Sequence, residues 1–259
     1  MASRFSLSQI FQPAPVWAET EFARRIALAR QSAGDQEVGK PAARRLFAEL
    51  DVLAEPARRV FRRMEVAPAR SPQTVLILPG FAAHPRKMRY FARQLERAGH
   101  TAKRWGQGRN WGPTPERFDQ LEQRLLDIHD RAGEPIALVG WSLGGVYARE
   151  LANRHPHAVS KVISMGSPFS GNPRANNVWR AYQFITGHPV DAPPIEADVS
   201  KKPPVETIAL WGRQDSVISS DCAAGRPGER DRAIAVNCTH MGFTYSPEAI
   251  ATVLKELDR

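Results

Sequence analysis

The chain of 259 residues carries 36 Lys and Arg against 27 Asp and Glu, a formal net charge of +9, and 42% of it is hydrophobic. This composition excludes a wholly disordered chain, no apolar run approaches the ~20 residues of a membrane-spanning helix, and two cysteines are too few for a disulfide scaffold or a four-thiolate zinc site. The positive charge is dispersed, with +4 of it in residues 1–70 and never more than two basic residues in a row; nucleic-acid binding needs charge gathered on one face, so no nucleic-acid partner is expected.

The first residues lack the basic start and unbroken apolar core of a signal peptide, and Pro13 and Pro15 interrupt them, so cytoplasmic residence is expected. Residues 18–64 read as helical. Phe22, Ile26 and Ala29 recur at helix spacing, as do Leu46, Phe47, Leu50 and Leu53, and then Val60, Phe61 and Met64. Arginines such as Arg24, Arg25, Arg44 and Arg45 alternate with these stripes. They imply either a solvated basic face or a surface for peripheral contact with acidic membrane lipid through residues 1–70.

From residue 74 the texture changes. TVLILPG (74–80) is an apolar run ended by Pro-Gly, the pattern of a strand buried on both faces. A helix is predicted over Arg86–Ala98, a strand over 100–105, a helix over Glu116–Arg131 and a strand over 135–142. Val146–Arg154 reads as a helix, 159–167 and 206–212 as strands, 232–238 as the last strand, and Pro247–Leu257 as a closing helix. This alternation predicts an α/β fold with a doubly wound, mostly parallel sheet. The division expected is a helical N-terminal extension over 1–70 and a larger domain over 71–259. Residues 171–205 break the rhythm with Gly171, Pro173, Pro189, Pro193, Pro194, Pro203 and Pro204 around one helical stretch, Asn176–Thr186, and read as a short cap insert.

The strongest chemical signal is GWSLGG (140–145), a G-x-S-x-G sequence between a predicted strand and a predicted helix. A nucleophilic serine on a sharp strand-to-helix turn needs small residues two before and two after it, because the turn brings neighbouring backbone close. Serine needs a base. Asp215 follows the strand at 206–212 and His240 follows the strand at 232–238, in the chain order Ser, acid, His. Both positions are carboxyl ends of strands, where open α/β sheets place their sites. Ser142 is therefore the expected nucleophile, His240 the base and Asp215 the group that orients it. His84 is a further candidate to line the site, and Asp221 is the reserve acid ahead of Asp191 and Asp198. An oxyanion hole is expected from the backbone N–H groups of Leu143 and Phe81. Trp179, Tyr182 and Met241 are the expected substrate-facing residues, with Val178, Tyr182 and Ile185 on one face of a lid helix, and Trp141 is expected to serve packing. Cys222 and Cys238 follow the two strands that carry the acid and the base, so a disulfide between the loops is one alternative and two free thiols the other.

LPGF (78–81), WGQGRN (105–110), GWSLGG (140–145), GSPF (166–169), GRQDSV (212–217) and CTHMG (238–242) together resemble the α/β-hydrolase superfamily, in particular its bacterial esterase/lipase-like members. The resemblance covers about residues 74–259. It implies a Ser142–His240–Asp215 serine hydrolase acting on a small-molecule ester or lipid, without metal or cofactor, with 171–205 as cap or lid. The chain departs from the hormone-sensitive lipase-like branch in lacking an HGGG-type oxyanion sequence, and a Ser at the elbow argues against dehalogenase relatives. An acyltransferase or amidase would use the same residues. A non-catalytic binding protein on this scaffold is the alternative outside catalysis, and the intact Ser–Asp–His set speaks against it. Acyl length, oligomeric state and the role of residues 1–70 are left open by the sequence.

Overall fold

Strands buried on both faces lose the in–out alternation of polarity, and the sheet shows why. Val75 and Ile77 point into one apolar cluster while Leu76 and Leu78 point into another, and all four are buried. The computed structural model describes residues 16–32, 41, 49, 64–195 and 197–259. Among these, six strands form one parallel sheet: β1 Thr74–Leu78, β2 Thr101–Arg104, β3 Ile136–Trp141, β4 Val159–Met165, β5 Glu206–Gly212 and β6 Arg232–Val236. Their order is β2-β1-β3-β4-β5-β6. The first face is covered by α2 (Arg89–Arg97) and α7 (Pro247–Leu257), through Phe91, Leu95, Ile250 and Val253. The second is covered by α3 (Pro115–Ala132) and α4 (Leu143–Arg154), through Phe118, Leu121, Leu125, Tyr147 and Leu151. This is the doubly wound α/β architecture predicted from the sequence.

Local chemistry sets the boundaries. Thr114 caps α3 by accepting from Arg117 N–H, Pro115 occupies the first turn, and Gly133 closes the helix in the left-handed region. The helix predicted from residue 86 starts instead as a 3-10 turn, Pro85–Met88, because the His84 imidazole accepts from Arg86 N–H and caps it. The helix predicted from Val146 begins three residues earlier, directly after Ser142. In the segment between β4 and β5, helix α5 spans Trp179–Thr186. Asn176, predicted to be helical, instead accepts from Val178 N–H and forms an antiparallel bridge to Ile218. A five-residue helix, α6 (Ser220–Ala224), capped by Ser219, was not expected.

At the amino-terminal side, α1 (Val16–Arg30) lies on α5. Arg25 Nη1 donates to the carbonyls of Phe184 and Ile185 at 3.3 and 2.6 Å, Gln183 Nε2 donates to Leu28 O at 2.6 Å, and the Phe22 ring meets Phe184 edge-on at 5.9 Å. Arg24 and Arg25 each pair with Glu21 at 2.7 Å. These two arginines of the expected basic face are engaged within the protein. The helical stripes expected at 46–53 and 60–64 lie outside the described residues except for Glu49 and Met64, both buried. Of the two alternatives for the cysteines, the structure has the free thiols. Cys222 and Cys238 are both free, and they sit in different apolar clusters. No helix among the described residues is long and apolar enough to cross a membrane.

Candidate active site

The strand order reverses between β1 and β3, and that switch point opens a crevice at the carboxyl ends of the strands. Leu78 at the end of β1 pairs with Gly140 of β3, so the turn after β1 and the turn after β3 stand side by side. Ser142 sits between β3 and α4 with φ 53° and ψ −123°, a backbone conformation that costs a non-glycine residue on the order of 1–3 kcal/mol. Its N–H is anchored on Met165 O at 2.8 Å. The glycines around it are required by space: a Cβ on Gly140 would collide with the Gly144 carbonyl, and one on Gly144 with the Leu78 carbonyl. Leu143 opens α4, so its N–H has no partner within the helix.

Phe81 belongs to the turn after β1, with Ala82 in the left-handed region at φ 56°. That turn is held by Asn110, which is fully buried. The Asn110 side chain donates to Pro79 O at 2.8 Å and accepts from Gly112 N–H and the Tyr147 hydroxyl. The Asn110 backbone accepts from Ala82 N–H at 2.6 Å and donates to Ala83 O at 3.0 Å. Asn110 lies in the WGQGRN stretch, but nothing in that motif marked it as the tether of the neighbouring turn.

Asp215 and His240 are brought together. His240 Nδ1 lies 2.8 Å from Asp215 Oδ2. An ionised carboxylate only accepts, so Nδ1 carries the proton and Nε2 is left as the acceptor. The other carboxylate oxygen, Oδ1, accepts from Val217 N–H and Ile218 N–H at 2.9 Å each, which fixes the acid in its loop. Burial pushes the His240 imidazole down, but the charge of Asp215, its hydrogen bond and the charge of Glu49 outweigh this and hold the pKa above its ordinary value. Trp141, expected to serve packing, also donates its indole N–H to His240 O at 3.0 Å and sets its ring 5.7 Å from the imidazole. The residue before Ser142 thus supports the loop of His240.

Beside Ser142 is a cavity of about 330 Å³, lined by Phe81, Leu143, Val146, Phe169, Val178, Trp179, Tyr182 and Ile195 among others. Its size is at the small end for a small-molecule site. Trp179 and Tyr182 are among its lining residues, and the Phe81 ring packs 5.0 Å from that of Tyr182. Ile185 is not among the lining residues, and its carbonyl accepts from Arg25 Nη1. Met241 is not among the lining residues; it packs against the core on the sheet face covered by α7, and its N–H donates to Glu49. His84 caps its 3-10 turn instead of lining the cavity. The cavity's acids are engaged: Glu150 with Arg154 at 2.6 Å, Asp191 with Arg174 at 3.0 Å, and Asp198 with Ser200 and Lys201. The reserve acid, Asp221, is exposed in the first turn of α6. Arg149, fully buried, donates to the carbonyls of Val199, Ser200, Lys201 and Glu229 and ties the return leg of the insert to α4. Among the described residues no three His, Cys, Asp or Glu side chains gather to hold a metal ion.

Residues 73–187 match the family model described as alpha/beta hydrolase fold. A pimeloyl-[acyl-carrier protein] methyl ester esterase of Aromatoleum aromaticum is 38% identical over 56 residues, 22% of this chain and 22% of that protein. The protein of the same description from Edwardsiella ictaluri is 40% identical over 62 residues, 24% of this chain and 23% of the relative. The chain thus matches less than a quarter of the length of these curated relatives. Among solved structures, polyneuridine aldehyde esterase superposes with a TM-score of 0.51 over 73% of this chain and 100% of that one, at 12% identity. An alpha/beta hydrolase enzyme from a sediment metagenome of the lagoon of Mar Chica, Morocco, gives 0.53 over 72% and 90%, at 19% identity. A lipase-esterase related protein from Clostridium acetobutylicum gives 0.53 over 74% and 96%, at 14% identity. At these identities the structural likeness is one of fold.

Proposed function

We propose that this chain, which has the α/β-hydrolase fold and whose residues 73–187 match that family model, is a serine hydrolase of carboxylic esters. The observation that carries the reading is His240 Nδ1 fixed on Asp215 at 2.8 Å, with Trp141, the residue before the strained Ser142, bonded to the His240 carbonyl. In the proposed reaction Ser142 Oγ attacks the acyl carbon, an O–C bond forms, and the serine proton passes to His240 Nε2. The oxyanion is met by the N–H groups of Leu143 and Phe81, helped by the amino-terminal end of α4. The C–O bond to the alcohol then breaks, and the departing oxygen takes the proton from Nε2. Water repeats the sequence on the acyl-enzyme and frees the acid and Ser142. Asp215 keeps the imidazole in the productive tautomer and stabilises its charged form.

The acyl group is assigned to the cavity under α5, against Trp179 and Tyr182, with residues 171–205 as its cap. The engaged acids and the apolar lining favour an uncharged acyl group of modest size over a long chain. The relatives' names speak for ester cleavage in the same direction. A fluorophosphonate probe tests the reading: Ser142 Oγ displaces fluoride and becomes a stable phosphonate ester. Labelling of the wild type and not of Ser142→Ala is expected, and an unlabelled wild type refutes it. Hydrolysis rates across an ester series, measured with and without added alcohol, then separate a hydrolase from an acyltransferase.

A further inference from the structure

Glu49 belongs to the amino-terminal segment that the hydrolase motifs do not cover, and its carboxylate is nearly buried at 9% exposure. It lies against the two loops that carry Asp215 and His240. Its Oε1 accepts from the Ser216 hydroxyl at 2.8 Å, from Ser216 N–H at 3.3 Å and from His240 N–H at 2.9 Å, and its Oε2 accepts from Met241 N–H at 2.8 Å. Four donors converge on two oxygens, the satisfaction an ionised carboxylate needs when it leaves water. A leucine or methionine would fill the space, but it would leave three backbone N–H groups without these acceptors.

We propose that Glu49 is a positioning residue for the ester-cleaving reaction: its carboxylate joins the loop after β5 to the loop after β6, so that Asp215 and His240 are held in register with each other and with Ser142. The inference rests on the reading of Ser142, His240 and Asp215 as nucleophile, base and acid. The bonds are placed for that purpose. Ser216 is the residue next to the acid, and His240 is gripped by its own N–H and by that of its successor. Without Glu49, the 2.8 Å contact between Asp215 and His240 would be the one side-chain hydrogen bond on these residues that links the two loops directly, with Gln214 N–H to Cys238 O at 3.3 Å as a backbone contact nearby. Trp141 supports His240 from the other side through its carbonyl. The titratable groups packed around His240 are Asp215, Glu49 and the Cys238 thiol, which burial and the charges of Asp215, Glu248 and Glu49 all push up. Glu248 faces the same loop from α7, accepting from Asn237 N–H. A second carboxylate beside the base also favours the imidazolium that forms when Ser142 attacks.

The test compares fluorophosphonate labelling rates of the full chain against pH for wild type, Ser142→Ala, Glu49→Gln, Glu49→Asp and Ser216→Ala, each with a melting curve. Glu49→Gln is expected to label on the order of 100-fold more slowly, the scale of a misplaced catalytic group. The midpoint of its acid limb is expected to move to lower pH, because a negative charge that favours protonated His240 is gone. Glu49→Asp keeps the charge, so its midpoint stays at the wild-type value while its rate falls less. Ser216→Ala removes one of four donors and is expected to lose several-fold in rate with an unmoved midpoint; this variant carries the test if Glu49→Gln melts at the assay temperature. Folded Glu49→Gln or Ser216→Ala at the wild-type rate overturns the proposal. So do equal losses in Glu49→Gln and Glu49→Asp with one common midpoint, the behaviour of a residue that serves only the scaffold. A wild type that does not label at Ser142 overturns the catalytic reading itself, whereas Ser142-dependent labelling indifferent to Glu49 overturns only the clamp.

Discussion

Asp215→Asn separates the two jobs of one carboxylate. In the native loop Oδ1 accepts from Val217 N–H and Ile218 N–H, and Oδ2 faces His240 Nδ1 at 2.8 Å. The asparagine amide oxygen can take the place of Oδ1 and keep both backbone bonds. Its NH₂ then faces Nδ1 and donates, so the imidazole must accept there and carry its proton on Nε2. The nitrogen that should take the serine proton is then already occupied. A wrong tautomer of this kind costs about 10⁴ in turnover, or roughly 5.4 kcal/mol at 1.36 kcal/mol per tenfold. The fold should barely notice. Asp215→Ala differs in losing the Oδ1 acceptor as well. Two buried N–H groups are left unpaired at about 1–3 kcal/mol each, so this variant should lose roughly 2–6 kcal/mol of stability on top of the same loss of rate. Initial rates on a p-nitrophenyl ester, with urea melts of all three proteins, check both halves. The reasoning is refuted if Asp215→Asn works within tenfold of wild type, or if the asparagine and alanine variants are equally stable.

The base must be neutral to act, so a His240 held above its ordinary 6.5 by Asp215 and Glu49 against the opposing effect of burial should place the acid limb of kcat/KM above that value; a limb centred below pH ~6 contradicts the assignment. Asn110→Ala strips the turn of Phe81 of its tether and leaves the Pro79 carbonyl and Gly112 N–H without their partner. It should lower stability by about 1–3 kcal/mol per orphaned group and kcat on the order of tenfold, with KM little changed, as read by urea melts and steady-state rates. Arg25→Ala removes two bonds to the end of α5, one exposed and one partly buried, the latter about 0.5–1.5 kcal/mol. Limited proteolysis should cut within 171–205 faster in that variant, and KM should rise; unchanged cutting would show that α1 does not steady the insert.

The central strands are legible because they are short, mostly apolar runs bounded by Pro, Gly and polar caps, and burial on two faces leaves such runs little alternative. The elbow was legible because it packs its requirements into five neighbouring residues. Asp215 and His240 could be ordered along the chain because each follows a strand. What escaped depends on contacts between distant segments. Glu49 has no local pattern at all: a carboxylate in a stretch of helix-forming residues reads as a solvated side chain, and only the packed loops reveal four donors waiting for it. Asn110 looked like loop chemistry for the same reason. Met241, expected to face the substrate, is not among the residues lining the cavity and packs against the core. The two cysteines follow neighbouring strands, yet Cys222 sits in the first turn of α6, a helix too short to leave a periodic signal.

The Glu49 carboxylate also imposes an order of events on folding. Its partners at His240 and Met241 are 191 and 192 residues further along the chain, and Ser216 is 167. During synthesis the acid would emerge long before any of them. It stays hydrated until β5, β6 and their loops exist, and contacts of such long range close late and slowly. A partially made chain can therefore form the elbow around Ser142 while its acid and base are still unassembled. On the proposed triad, Ser142 would not be armed until β6 and its loop have docked, so an active molecule would already hold all six strands of this sheet.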